Sequence, residues 1–154
     1  MQLVYAGTQH NPELRKDLLF HAASQIRDSA EYYLRHQGIE KAAHKFIQSA
    51  ICYEKSGQYE EGIQCYLKAA KIYLLETRKE NPGTRTKSFL SQSEKYKKSH
   101  IRYSEDLNHY SNEARLNACL RNAVSMKKRK GDDRSPQQIR SNLAFQVLNL
   151  EIKR

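Results

Sequence analysis

A chain of 154 residues with a net charge of +10 and only three cysteines is long enough to bury a core without disulfide or metal staples, and it predicts one domain over residues 1–154. Many Lys, Glu, Gln, Ser and Ala and few branched aliphatic residues favour helices with narrow apolar stripes over strands. No apolar run approaches the roughly 20 residues that cross a bilayer, and the start "MQLVYAGTQHNPELRK" lacks the charged-then-apolar order of a signal peptide, so an intracellular protein, cytoplasmic or nuclear, is expected.

In chain order, the first helix signal is "NPELRKDLL", with Asn11 as N-cap and Pro12 at the first helical position, where its missing N–H costs nothing. Leu18, Ala22, Ile26, Ala30 and Tyr33 recur at helical spacing over about 24 residues, and Gly38 is the expected stop. A second helix is predicted from about Ile39 to Ser56, with Ala42, Ala43, Phe46, Ala50 and Tyr53 on one face and Gly57 ending it. A third runs from about Gln58 to Lys79, carrying Tyr59, Tyr66 and Tyr73 seven residues apart. "NPG" at Asn81–Gly83 combines three turn formers.

Beyond that turn Phe89, Tyr96, Tyr103 and Tyr110 repeat every seven residues, the period of one helix face. The apolar stripe then changes phase to Leu116, Leu120 and Ala123, which predicts a kink or short break near 108–112. "SMKKRKGDDRSP" reads as a charged linker. Ser135, Pro136 and Gln138 supply a cap, an N1 proline and a capping-box glutamine for a last helix with Ile139, Leu143, Val147 and Leu150 on one face. The expectation is an all-α antiparallel bundle of five to six helices, with a core over about 12–107, a basic extension over 108–134 and a terminal helix over 135–154.

"YEKSGQYEEGIQCYLKAAKIYL", Tyr53 to Leu74, shows how two of these helices should interlock. Gly57 reverses the chain, Gly62, Ala69 and Ala70 allow close approach, and Phe46, Tyr53 and Tyr66 supply bulk. Phe46, Ala50 and Tyr53 followed by Gly57, Tyr59, Gly62, Tyr66 and Ala69 resemble the tetratricopeptide (TPR) pattern. Gly62 stands where that pattern has alanine, Ser49 where it has leucine, and there is no closing proline. The same residues resemble the MIT domain, whose first two helices carry a related "A…YE…G.YEEAI..Y..A" signature, over about residues 39–107. Either resemblance implies a non-catalytic module that holds a short helix or peptide in an inter-helical groove.

Charge points to where such a groove would be flanked. Residues 1–77 carry nine basic and nine acidic side chains, whereas residues 78–134 carry fifteen against seven. A partner-binding face is therefore expected on Arg85, Lys87, Lys95, Lys98 and Arg102, with Tyr96 and Tyr103 on the same helix, against a protein partner with acidic residues. A basic, nuclear, nucleic-acid-associated protein is the alternative, and the terminal helix could instead pair two copies. Lys127, Lys128, Arg129 and Lys130 have the composition of a nuclear-import run and also suit a helix C-terminus. The aromatic rows are read first as packing stripes and second as stacking platforms for single-stranded nucleic acid.

Nothing in the sequence spells catalysis or a cofactor. There is no Gly-rich phosphate loop, nucleophile elbow or HExxH. His10, His21, His36, His44, His100 and His109 form no metal-ligand pair, and Cys52, Cys65 and Cys119 lack the tight spacing of a zinc site. A non-enzymatic adaptor or scaffold without metal is the expectation.

Overall fold

Caps and left-handed residues set the limits of the helices. The computed structural model describes residues 11–80 and 111–152. Among them are five helices and no strand: α1 (Pro12–Arg35), α2 (Ile39–Lys55), α3 (Tyr59–Glu80), α4 (Asn112–Lys130) and α5 (Pro136–Asn149). The protein is an all-α helical bundle.

Asn11 starts α1 by accepting a hydrogen bond from the Leu14 N–H at 3.2 Å, and Ser111 does the same for α4 through the Ala114 N–H. Ser135 and Gln138 form a complete capping box at α5, satisfying N–H groups that a helix start leaves bare. The expected break near 108–112 thus ends in a capped helix start; residues 108–110 lie outside the described residues, as does the aromatic helix predicted over 89–107.

Three helix ends share one geometry. The amides of Gly38, Gln58 and Asp132 reach back to the carbonyls of Tyr33, Tyr53 and Lys127 at 2.7, 2.8 and 3.1 Å, the six-to-one bond of a Schellman end. The residue before each amide is left-handed: Gln37 (φ 65°), Gly57 (φ 80°) and Gly131 (φ 106°). The stop expected at Gly38 therefore falls one residue earlier. Gly38 has φ −86° and is small for another reason: a Cβ there would stand 3.1 Å from Cδ1 of Tyr33.

The charged linker expected over Ser125–Pro136 is a correction. Helix α4 continues through Lys130 and only Gly131–Ser135 connects it to α5. Met126 is fully buried, and three of the four cations after it find acidic partners on other helices. Arg129 pairs with Glu54 at 2.7 Å, and Lys130 and Lys127 pair with Glu60 at 2.6 and 3.9 Å. Positive charge in the last turn also suits the helix dipole.

Helix α3 is the axis of the packing. It contacts α2, α4 and α5, while α1 packs on α2. Its buried positions, from Gly62 and Ile63 through Tyr66 and Tyr73 to Thr77, lie all around the helix, as a helix with neighbours on several sides requires. At Gly62 a Cβ would come 2.3 Å from Cε of Met126 and 3.2 Å from the Ala50 carbonyl oxygen, so the missing side chain lets α2 and Met126 of α4 lie close against α3. Ser49 donates to the Ala23 carbonyl at 2.6 Å, joining α2 to α1. The Lys71 amine donates to the Leu148 carbonyl at 3.1 Å and ties down the end of α5. Ile139, Leu143 and Val147 of α5 are fully buried inside this one chain.

Candidate binding site at the bundle end

The tyrosines that open the question of a site belong to the packing. Tyr66 and Tyr73 are buried, and Tyr59 is half-buried against the same core. The residues of the expected basic face, Arg85, Lys87, Lys95, Tyr96, Lys98, Arg102 and Tyr103, all fall outside the described residues, as do His10, His100 and His109. Lys127, Lys128, Arg129 and Lys130 stand in the last turns of a helix, three of them ion-paired and Lys128 donating to the Arg134 carbonyl. Among the described residues no group of His, Cys, Asp and Glu could hold a metal ion, and no helix is long and apolar enough to cross a membrane.

What the fold does assemble is a cavity of about 510 Å³ at one end of the bundle, where the α1–α2 turn, the C-terminal half of α3 and the N-terminus of α4 meet. Ile39, Ile72 and Tyr73 give it apolar walls, and Arg115, Asn112, Lys79, Glu76, Glu80 and Glu40 give it charge and hydrogen-bonding groups. These polar groups form a chain. Asn112 donates to Glu80 at 2.7 Å and accepts from Arg115 at 3.2 Å. Arg115 in turn lies 3.6 Å from Glu40, and Lys79 pairs with Glu76 at 3.3 Å.

Arg115 is the unusual member. Its side chain is 8% exposed, and its guanidinium carbon sits 5.8 Å from the centre of the Tyr73 ring, within cation–π range. A charge this well covered is less screened by water and salt than one on the surface. Glu40, its acidic partner, has a side chain 72% exposed.

Among the described residues, two buried polar atoms beside this group have no hydrogen-bond partner: the Tyr73 hydroxyl and Nε2 of His44. Burial, with a smaller contribution from nearby Cys119, pushes the Tyr73 phenol well above its ordinary range, so it remains a protonated donor. Burial and then the charge of Arg115 lower the His44 pKa, keeping the imidazole neutral. His44 lines a second cavity of about 410 Å³ with Tyr33, Lys41 and Lys45, and Glu40 borders both. Buried polar groups in folded proteins are nearly always paired, which marks this end of the bundle.

No protein-family model matches the chain, and no curated protein and no solved structure matches it at a significant level. The site must therefore be read from its own chemistry. Sequence reasoning missed Arg115, Glu40 and Tyr73 as a group because they come from three helices and share no motif. One signal was present: Arg115 directly precedes Leu116 on the apolar stripe of α4, a place where a charge is held at a helix interface.

Proposed function

We propose that this chain is a non-catalytic protein–protein interaction module, an adaptor or scaffold that holds a short helix or peptide of a partner at an inter-helical site. The observation that supports this most is the bundle-end cavity, whose apolar walls of Ile39, Ile72 and Tyr73 and few convergent polar groups are what peptide and ligand pockets share. The resemblance to TPR and MIT helical hairpins points the same way.

The basic flank fits this reading through chain connectivity. Residues 81–110, which carry Arg85, Lys87, Lys95, Lys98 and Arg102, connect Glu80 to Ser111, and both of those residues line the cavity. Acidic residues flanking a partner's anchor would meet those cations. Contact with nucleic-acid phosphates draws less support, since Lys127, Arg129 and Lys130 are committed to Glu54 and Glu60.

A photo-crosslinking amino acid at exposed Lys79 on the cavity rim, compared with one at exposed Ser141 on α5, tests the proposal in cells of origin. A discrete adduct from position 79, absent at 141 and diminished by Lys95→Glu, Lys98→Glu and Arg102→Glu together, supports it. Equal labelling from both positions would sink it. Tight binding of a random oligonucleotide that collapses steeply with salt would favour the nucleic-acid alternative.

A further inference from the structure

We infer that the crease between α1 and α2, on the side of α1 away from α3, is a docking groove for an acidic amphipathic helix of a protein partner. This rests on the interaction-module reading above, but its residues and its test are separate from those of the bundle-end cavity.

Three contacts fix how the two helices run alongside each other. Phe20 meets Tyr53 edge-on with ring centres 5.9 Å apart, Ser49 bonds to the Ala23 carbonyl, and the Lys41 amine lies 5.6 Å from the centre of the Tyr33 ring. The helices are therefore antiparallel. Tyr33, Lys41, His44 and Lys45 line one cavity, which forms one end of the crease. Residues three and four apart share a helix face. From Tyr33 the α1 wall thus continues through Ser29, Ile26, Ala22 and Leu18, all of them half-buried. From Lys41 the α2 wall continues through Lys45, Gln48, Cys52 and Lys55, with Cys52 and Tyr33 packed against the core. The floor is largely apolar and one rim is cationic, over about 21 Å of α2 at 1.5 Å per residue.

Charge is sorted between the sides of α1. No residue of either row is acidic, whereas Glu31 faces α3 and pairs with Lys68 at 2.7 Å. The equal numbers of basic and acidic side chains in residues 1–77 cancel in sum without cancelling in space. Among the described residues Lys41, Lys45 and Lys55 have no carboxylate partner, in contrast to Lys68, Lys79, Arg129 and Lys130. Glu40, the acid that shares the cavity with Lys41 and Lys45, lies 3.6 Å from Arg115. Unmatched cations beside an apolar strip complement a helix whose own apolar stripe is flanked by acids. Nucleic-acid phosphates would meet the lysines but leave the apolar strip uncovered, and a planar membrane surface would not reach the floor.

The probe is a displayed library of helical peptides of about 18 residues, long enough to follow the rim. Leucine occupies every third or fourth position, and Glu, Lys, Gln or Ala the rest. Peptides selected on the full chain should carry Glu rather than Lys beside the leucines, with an affinity that falls as salt is raised. Lys41→Glu, Lys45→Glu and Lys55→Glu together should weaken them at least about tenfold by fluorescence anisotropy, the scale of several surface pairs turned repulsive, with the melting temperature unchanged. Lys16→Glu with Arg35→Glu, at exposed cations of α1 outside the groove, should leave the affinity as it was. A photo-crosslinking residue at exposed Gln48 should label the bound peptide, and one at exposed Asp28 should not. Binders without a preference for Glu, binders insensitive to the triple variant, or equal labelling from both positions overturn the groove. A random DNA duplex or anionic phospholipid vesicles that bind more tightly than any peptide, and lose that binding in the triple variant, overturn the helix as its occupant. A library that yields no binder overturns the groove, while an adduct from position 79 would still support the interaction module.

Discussion

Gln37 holds, at φ 65°, the left-handed position that glycine fills at the two other Schellman ends. A side chain in that region costs about 1 kcal/mol through the clash of Cβ with the backbone. Gln37→Gly should therefore stabilise the protein by about 0.5 kcal/mol, once the greater freedom of glycine in the unfolded chain is subtracted. Denaturant melts with an unchanged slope would read this directly, and a loss of stability would show that the Gln37 side chain makes a contact worth more than the strain. The preference for Gln37 over Gly38 was not legible in the sequence. Glycine next door looked like the natural stop, but Tyr33 packs so close to Gly38 that the smallest residue is needed there for space, and the turn has to use its neighbour. Gly57, with nothing within 4 Å of its Cβ position, is the opposite case, retained for backbone conformation alone.

Between elements, Gly62 of α3 makes a close joint with Ala50 of α2 and Met126 of α4. Gly62→Ala sets two opposing effects against each other: a gain of up to about 1 kcal/mol in helix propensity and an overpacking cost of about 1–3 kcal/mol. Crowding should win by about 1 kcal/mol, because Met126 is fully buried and has little room to retreat. In a Met126→Ala background the same substitution should become neutral or stabilising, and a double-mutant cycle by thermal or urea denaturation measures the coupling. Identical effects in both backgrounds would mean that the Ala50 carbonyl, not Met126, sets the spacing. Small residues on α3 and their purpose were readable in "YEEGIQCYLKAA", since helical spacing of small and large residues is a local signal. The starts of α1 and α5 were readable for the same reason, as each carries its own cap. The last turn of α4 was not: four consecutive cations look like a solvated run, and Glu54 and Glu60, which pair with Arg129 and Lys130, lie 75 and 70 positions away in the chain. The cavity was illegible on the same grounds, because only folding brings Glu40, Tyr73 and Arg115 together.

At the scale of the whole molecule, α3 and α4 pack along one another, and the end of one is bonded to the start of the other by Asn112 and Glu80. Neighbouring helices in bundles are ordinarily joined by about 2–8 residues, yet here residues 81–110 intervene. Replacing them with a short Gly/Ser turn should leave a chain that still unfolds cooperatively, with the buried residues of α3 and α4 in place, and should remove the basic flank proposed to meet acidic partners. A chain that no longer unfolds in a single transition would show that the bundle depends on what was cut. The bond between Glu80 and Asn112 also has a consequence for how this sequence can change with time. A single residue gained or lost within α3 would turn every later side chain of that helix by about 100° away from the neighbour it now meets, and would carry Glu80 away from Asn112, so length changes inside α3 are the costly ones.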